Sequence, residues 1–273
     1  MQQGLARKAP GGLLQSASMK TVPRILCIGG HDPTGGAGIQ ADIETVNALG
    51  GRALALVTAL TAQDTHNIET ILPVPADFFA RQADTLLRDI RPDAVKLGLI
   101  GSAAQLPELN RLLGTFQGTV VVDPVLAAGG GFEFGVDLTG RAGRELLSMA
   151  TLITPNRAEA RRQSGCEDME SAAGALLRAG VGALLITGAD EAQGDFVINR
   201  LFTGGDRPVC YEWPRLAQRY HGSGCTLASA CATRLAFGDD LPKAAAEAQG
   251  FTWQALAQAT QVGSGQWLPE RRS

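Results

Sequence analysis

Apolar residues along the chain fall alternately into short continuous runs and longer, helically spaced stretches. Ile25-Leu26-Cys27-Ile28 is an unbroken apolar run closed by Gly29-Gly30, the pattern of a strand buried on both faces. Residues 39–49 repeat apolar positions at Ile39, Ile43, Val46 and Leu49, which is helical spacing. Strand-like runs follow at 54–60 and 68–74, and a helix over 78–90 is stopped by Pro92. The alternation continues with a strand at 94–97, a helix at 106–113 and a strand at 120–123. It goes on with a strand at 152–154, helices around 158–163 and over 171–179, and a strand at 183–186. Residues 196–202 and 209–213 read as an antiparallel edge pair, and two helices, around 226–237 and 242–260, close the pattern. Repeated β-α-β units with continuous apolar strands predict an α/β fold, a mostly parallel sheet covered by helices on both faces.

Residues 1–22 mix Gln, Gly, Ser, Lys and Arg with only the pair Leu13-Leu14 as an apolar cluster, and read as a disordered tail. No linker, charge block or repeat divides the remainder, so residues 23–273 are expected to form one domain. Charge narrows the partners: 24 Lys+Arg against 27 Asp+Glu gives a net −3, with no footprint for nucleic acid. No apolar run reaches the ~18–20 residues of a membrane span. The five cysteines lack any Cys-x-x-Cys spacing and read as reduced, cytoplasmic thiols.

Glycine changes the picture more than charge does. The chain has 34 Gly beside nine Phe, three Trp and two Tyr, and its Gly-rich segments fall where strands end. In an open parallel sheet, ligands bind outside the carboxyl ends of the strands. Gly29 to Gly38, the stretch Asp123-Pro124-Val125 through Gly131, and His221-Gly222-Ser223-Gly224-Cys225-Thr226 are placed for that role. Neither familiar phosphate loop matches. A Walker A loop would need lysine where Gly36 stands, and the spacing Gly-Gly-x4-Gly-Gly-x-Gly is a poor dinucleotide fingerprint. The small residues before the helix near 226 would instead gather backbone N–H groups at its positive end, an anion site. Cys225 sits in that field, which is expected to favour its thiolate. Cys231 reads as a buried, inert thiol.

Six segments together resemble the hydroxymethylpyrimidine/phosphomethylpyrimidine kinases of thiamin biosynthesis, in the ribokinase-like superfamily. They are the stretch from Asp32 to Asp42, Val57-Thr58-Ala59-Leu60-Thr61-Ala62-Gln63, Val95-Lys96-Leu97-Gly98-Leu99, Asp123-Pro124-Val125, Thr154-Pro155-Asn156-Arg157-Ala158-Glu159-Ala160 and His221 through Thr226. The resemblance implies a three-layer α/β/α sandwich, ATP and Mg²⁺ as cofactors, a homodimer, and two successive phosphorylations of a pyrimidine. It implies that Asp42 and Gln63 hydrogen-bond the aminopyrimidine ring, with Gly30, Ala37, Leu99 and Val125 lining its pocket. Cys225 would take the acceptor proton while Gly222, Ser223 and Gly224 donate N–H groups to the transferring phosphoryl. The nucleotide would lie at Asn156, Thr187, Gly188, Gly222 and Gly224, and Asp123 and Glu159 would organise Mg²⁺ through water. Asn156 and Glu159 also have the spacing of a helix capping box. Two departures stand out. Thr187-Gly188-Ala189-Asp190 replaces the usual Lys-Gly-Gly-His, and Ala128-Gly129-Gly130 replaces Lys-Ser-Gly, so the phosphate site is expected to be less positive. A pyridoxal kinase of the same superfamily and a weakened, pyrimidine-binding relative are the competing readings.

Overall fold

Among the described residues, the continuous apolar runs become the interior strands of one nine-stranded sheet, in the order β3-β2-β1-β4-β5-β6-β7-β8-β9. This computed structural model describes residues 22–126, 131–132, 136–190, 194–205 and 207–272. The expected tail therefore lies outside the described residues apart from Val22, as does Ala128-Gly129-Gly130. The strands are β1 (Arg24–His31), β2 (Arg52–Gln63), β3 (Ile68–Pro73), β4 (Ala94–Leu97), β5 (Thr119–Val122), β6 (Leu152–Ile153), β7 (Leu184–Ile186), β8 (Phe196–Phe202) and β9 (Val209–Pro214). The six from β2 across to β7 run parallel, and β3, β8 and β9 add antiparallel edges.

The helices are α1 (Gly38–Ala48), α2 (Ala76–Asp89), α3 (Leu106–Thr115), α4 (Arg141–Ser148), α5 (Arg157–Ser164), α6 (Met169–Arg178), α7 (Ser223–Ala236) and α8 (Leu241–Ala257). Successive strand residues feed opposite faces. Leu26, Ile28, Val95 and Leu97 pack with α2 through α6, whereas Ile25, Cys27, Ala94 and Val121 pack with α1, α7 and α8. Burial on both faces is why these strands need no polar alternation. The result is the three-layer α/β/α sandwich.

Two elements depart from the pattern. Gly29 and Gly30 do not end β1; pairing with β2 continues through them to His31, with a register shift between them. A side chain on Gly30 would strike Leu99. Helix α4 has no counterpart in the apolar pattern, because only Leu146 and Leu147 on it are buried large apolar residues. Its Gly143 lies against the Leu138 backbone, where a Cβ would not fit.

The chain moves from β1 to β2 on one side and returns to β4 on the other. The carboxyl ends of β1 and β4 therefore border a switch-point crevice, the position where open α/β sheets bind ligands.

Candidate active site

A cavity of about 690 Å³ opens at these strand ends, and glycine contacts shape its mouth. Gly38 starts α1 at φ 60, so close to the Gly30 carbonyl that no side chain could be accommodated. Gly222 caps α7 at φ 77, and a Cβ there would collide with the Gly36 carbonyl oxygen. Left-handed backbone and contact with a second backbone both demand glycine. This cap lets α7 begin at Ser223, three residues earlier than the apolar spacing indicates. The first-turn N–H groups of Ser223, Gly224 and Cys225 have no partner within the helix and belong to cavity-lining residues.

Asp32, buried to 2% exposure, fastens the β1–α1 loop to His221, just ahead of this helix. Its carboxylate accepts the Thr34 N–H (2.8 Å) and Ala37 N–H (2.7 Å), and lies 2.9 Å from His221 Nε2. Burial alone would raise its pKa, but the hydrogen bonds and charge of His221 and the Thr34 donors outweigh that and hold it below the usual carboxylate value.

Beneath the loop lies a buried ion pair. Lys96 Nζ, within strand β4, donates to Asp42 Oδ1 at 2.7 Å, and Ser229 Oγ donates to the same oxygen at 2.7 Å. Burial disfavours the ammonium, yet Asp42, Cys225 and Asp123 together raise the Lys96 pKa above its ordinary value. Lys96 reaches the cavity wall, whereas Asp42 is not among the lining residues. In this structure Asp42 is the counter-charge of Lys96. Asp42 is fully buried.

Asp123 follows β5, its carboxylate facing Gly224 at the distance of an ordinary contact for a Cβ placed there, 3.5 Å. Burial raises its pKa to about 6 against the opposing charge of Lys96. Glu159 and Asn156 form the capping box: Glu159 N–H donates to Asn156 Oδ1 (2.8 Å) and Asn156 N–H to Glu159 Oε2 (2.9 Å). Burial, then the nearby Asp123 charge, lift Glu159 to about 7.

Cys225 corrects an expectation. Its position at the head of α7 was expected to favour thiolate, but burial pushes the thiol up to about 11. Lys96 and a Gly38 N–H oppose the rise, and the Asp123 and Asp42 charges add to it. A helix-end partial charge does not outweigh desolvation here.

Gly30, Ala37, Gln63, Leu99 and Val125 all line the cavity, as do Asn156, Thr187, Asp123, Glu159 and the residues 222–225. Gly188 does not. Its N–H donates to Asn199 Oδ1 (2.9 Å), and a side chain on it would strike the Ile198 carbonyl. Sequence patterns missed the far wall, where Trp213 stacks on Trp253 with ring centroids 6.4 Å apart. Gln249 Oε1 there accepts from both Asn199 Nδ2 (2.8 Å) and Trp213 Nε1 (3.1 Å). They also missed Lys96 as a site residue, although a lysine inside the apolar run Ala94-Val95-Lys96-Leu97 signals a buried partner.

Among the described residues, Lys96, Arg215 and Arg219 are the lysines and arginines lining the cavity, against Asp32, Asp123, Glu159 and Asp190. Lys96 is already paired, so an incoming polyanion would need cationic company. No cluster of three or more His, Cys, Asp or Glu suited to a metal forms among the described residues. The buried carboxylates of Asp123 and Glu159 nevertheless fit a hard, largely hydrated cation, which takes oxygen ligands and few protein groups.

A model of the family described as phosphomethylpyrimidine kinase matches residues 32–269. The thiamine biosynthesis bifunctional protein ThiED of Geobacter sulfurreducens is 38% identical over 88% of this chain, which spans 50% of that protein's length. The hydroxymethylpyrimidine/phosphomethylpyrimidine kinase of Bacillus subtilis is 32% identical over 90% of this chain and 93% of its own. Among solved structures, the pyridoxal kinase of Staphylococcus aureus in complex with AMP-PCP and pyridoxal superposes with a TM-score of 0.80. It is 27% identical, over 92% of this chain and 94% of that one.

Proposed function

The chain belongs to the phosphomethylpyrimidine kinase family, and from that premise we propose that it is an ATP-dependent kinase of thiamine biosynthesis. It would phosphorylate 4-amino-5-hydroxymethyl-2-methylpyrimidine and then the resulting monophosphate. The observation that carries this reading is the left-handed Gly222 cap, which opens α7 with the N–H groups of Ser223, Gly224 and Cys225 lacking partners within the helix and lying beside Asp123 and Lys96. Phosphoryl transfer is mainly a matter of positioning and charge stabilisation, and this is the arrangement such a step requires.

In this reading the pyrimidine lies against Gly30, Ala37, Leu99 and Val125, with Gln63 reading its ring. Gln63 is oriented for that by donating to Thr61 Oγ1 at 2.7 Å. Asp42 acts through Lys96. The N–H groups of Ser223, Gly224 and Cys225 receive the transferring phosphoryl, with the Gly222 cap fixing their direction. Nucleotide phosphates extend toward Asn156 and Thr187. Arg215, which donates to the Ala189 carbonyl at 3.2 Å, brings a guanidinium to the turn that lacks lysine. Gly188 supports that turn from behind. Asp123 and Glu159 would hold Mg²⁺ through water, and the ion when bound supplies charge neutralisation for the phosphates. Cys225 as thiolate takes the hydroxyl proton; with its thiol at about 11 that form is scarce near neutral pH, so the amide cradle carries more of the rate than proton removal does. A cytoplasmic homodimer completes the reading, and sedimentation at assay concentrations tests it.

The pyridoxal kinase reading draws on the likeness to a pyridoxal-bound structure. Steady-state assays with the pyrimidine, its monophosphate and pyridoxal side by side separate the two. A kcat/KM for pyridoxal above that for the pyrimidine would replace the first reading. Binding of the pyrimidine without turnover at saturating ATP and Mg²⁺ would leave the weakened relative.

A further inference from the structure

Residues 260–272 run as a strap beside the site, with Gln266 on the cavity wall. Thr260 and Leu268 exchange hydrogen bonds, His221 N–H donates to the Trp267 carbonyl (2.9 Å), and Trp267 N–H returns to Arg219 (2.9 Å). Gln266 N–H reaches the Thr65 carbonyl at 2.8 Å, and Glu270 N–H reaches Ala255 at 3.0 Å. The strap thereby touches the β2–β3 turn, the loop before α7 and helix α8, and it delivers Arg271 into the protein interior.

Arg271 is 2% exposed, unusual for an arginine, and each of its hydrogen bonds goes to the β1–α1 loop, to the first turn of α7 or to α1. Its Nε donates to Thr226 Oγ1 at 2.9 Å, and Thr226 Oγ1 in turn donates to the Gly222 carbonyl at 2.8 Å. Its Nη2 donates to the Gly36 carbonyl, and its Nη1 lies 3.4 Å from the Gly35 carbonyl and 3.1 Å from Glu44 Oε2. Gly36 O is the atom that leaves no room for a side chain on Gly222. One planar guanidinium thus grips both sides of the seam between the β1–α1 loop and the head of α7. A point-charge ammonium could not span these acceptors with the same fixed geometry. On the cavity side the same seam is closed by His221 and Asp32.

The geometry points to Arg271 as a positioning residue of the catalytic site: it sets the register of the phosphoryl-binding N–H groups of α7 against the substrate loop 32–38. It does not line the cavity, and it lies beyond residue 269, where the family match ends. The inference rests on the kinase reading for its catalytic consequence, but not for its structural one. Loss of the grip frees the Gly36 carbonyl and the Gly222 cap to shift relative to each other. A displacement of about 1 Å in a positioned group costs a reaction roughly 100-fold.

The test compares wild type with Arg271→Ala, Arg271→Lys and Glu44→Gln. Each is measured for kcat and KM, thermal melting, and amide hydrogen exchange resolved to residues 32–38 and 222–226. Arg271→Ala, at a temperature where melting shows it folded, is expected to lose 10- to 100-fold in kcat with KM for the pyrimidine changed less than about threefold. Exchange should rise in those two segments and not in α2 or α3. Arg271→Lys is expected to fall between, and millimolar guanidinium to restore part of the Arg271→Ala rate. Glu44→Gln, which keeps the two glycine carbonyls and Thr226, should stay within about twofold of wild type. The proposal is overturned if Arg271→Ala retains kcat and leaves local exchange unchanged. It is also overturned if Glu44→Gln is as damaging as Arg271→Ala. Should Arg271→Ala not fold, Arg271→Lys decides by the same two readouts. A wild type without kinase activity removes the kinase reading, while exchange still reports on the clamp.

Discussion

Replacing Lys96 by methionine tests the electrostatic centre of the site. The substitution keeps the side chain's length and leaves Asp42 Oδ1, 2.7 Å from the lost ammonium, with only the Ser229 hydroxyl as donor. Both partners of the pair are buried, at 1% and 0% side-chain exposure. Breaking a buried pair by removing one partner costs about 3–5 kcal/mol, because the other charge is stranded. For a chain of this size that is a fall in Tm of about 10 °C. Replacing both partners, as Asp42→Asn with Lys96→Met, removes the stranded charge. The double variant should then be more stable than the sum of the single effects by about 2 kcal/mol or more. Activity should not recover in parallel, since Lys96 also balances Cys225 and Asp123 at the cavity wall. Urea unfolding of the four proteins at pH 7, with kcat measured on each, reads both consequences. A Lys96→Met cost below about 1 kcal/mol, or strict additivity in the cycle, would refute the reasoning.

Three further outcomes follow from the same geometry. Gly222→Ala must place a side chain at positive φ against the Gly36 carbonyl. It should lose roughly 100-fold in kcat, while Gly205→Ala, with open space around it, serves as a control within about twofold. Asp123 (about 6) and Glu159 (about 7) lie above their values in an unfolded chain, so the folded state holds extra protons between about pH 4 and 7. Their contribution to stability is full below that window and is lost as pH rises through it. The free enzyme should therefore lose roughly 2–3 kcal/mol between pH 5.5 and 8, and Mg²⁺ with AMP-PCP should raise Tm more at pH 8 than at 5.5. A Tm that rises across that interval without ligand would contradict the assignment. With its thiol at about 11, Cys225 should alkylate about tenfold faster per pH unit from 7 to 9, followed by peptide mass spectrometry. A plateau near pH 7 would mean the helix end does lower its pKa.

Particular elements show where sequence reading succeeds and where it stops. The run Ile25-Leu26-Cys27-Ile28 reads as a strand buried on both faces, and the structure leaves all four residues at 0% exposure. Helix α4 is faint in the apolar pattern because only Leu146 and Leu147 on it are buried large apolar residues, and the reason for its Gly143, the Leu138 backbone, is three-dimensional. In the site, the glycine loops were visible as local chemistry. The pairings of Asp42 with Lys96, 54 residues apart, and of Asp32 with His221, 189 apart, were not. Nothing in a segment's own residues marks its distant partner.

Sequence by itself therefore determined the layered α/β architecture, the edge hairpin and the glycine-rich strand ends where a ligand would bind. Periodicity and turn chemistry act within a few residues, so they are written locally. Tertiary structure alone decided that Asp42 serves Lys96 and lies off the cavity wall, that Gly188 supports a turn from behind, and that Arg271 reaches the α7 cap. It also decided the protonation state of Cys225. A helix N-terminus is legible in the sequence and argues for thiolate. The desolvation that prevails over it is a sum over everything packed around the sulfur, and that sum exists only in the folded protein.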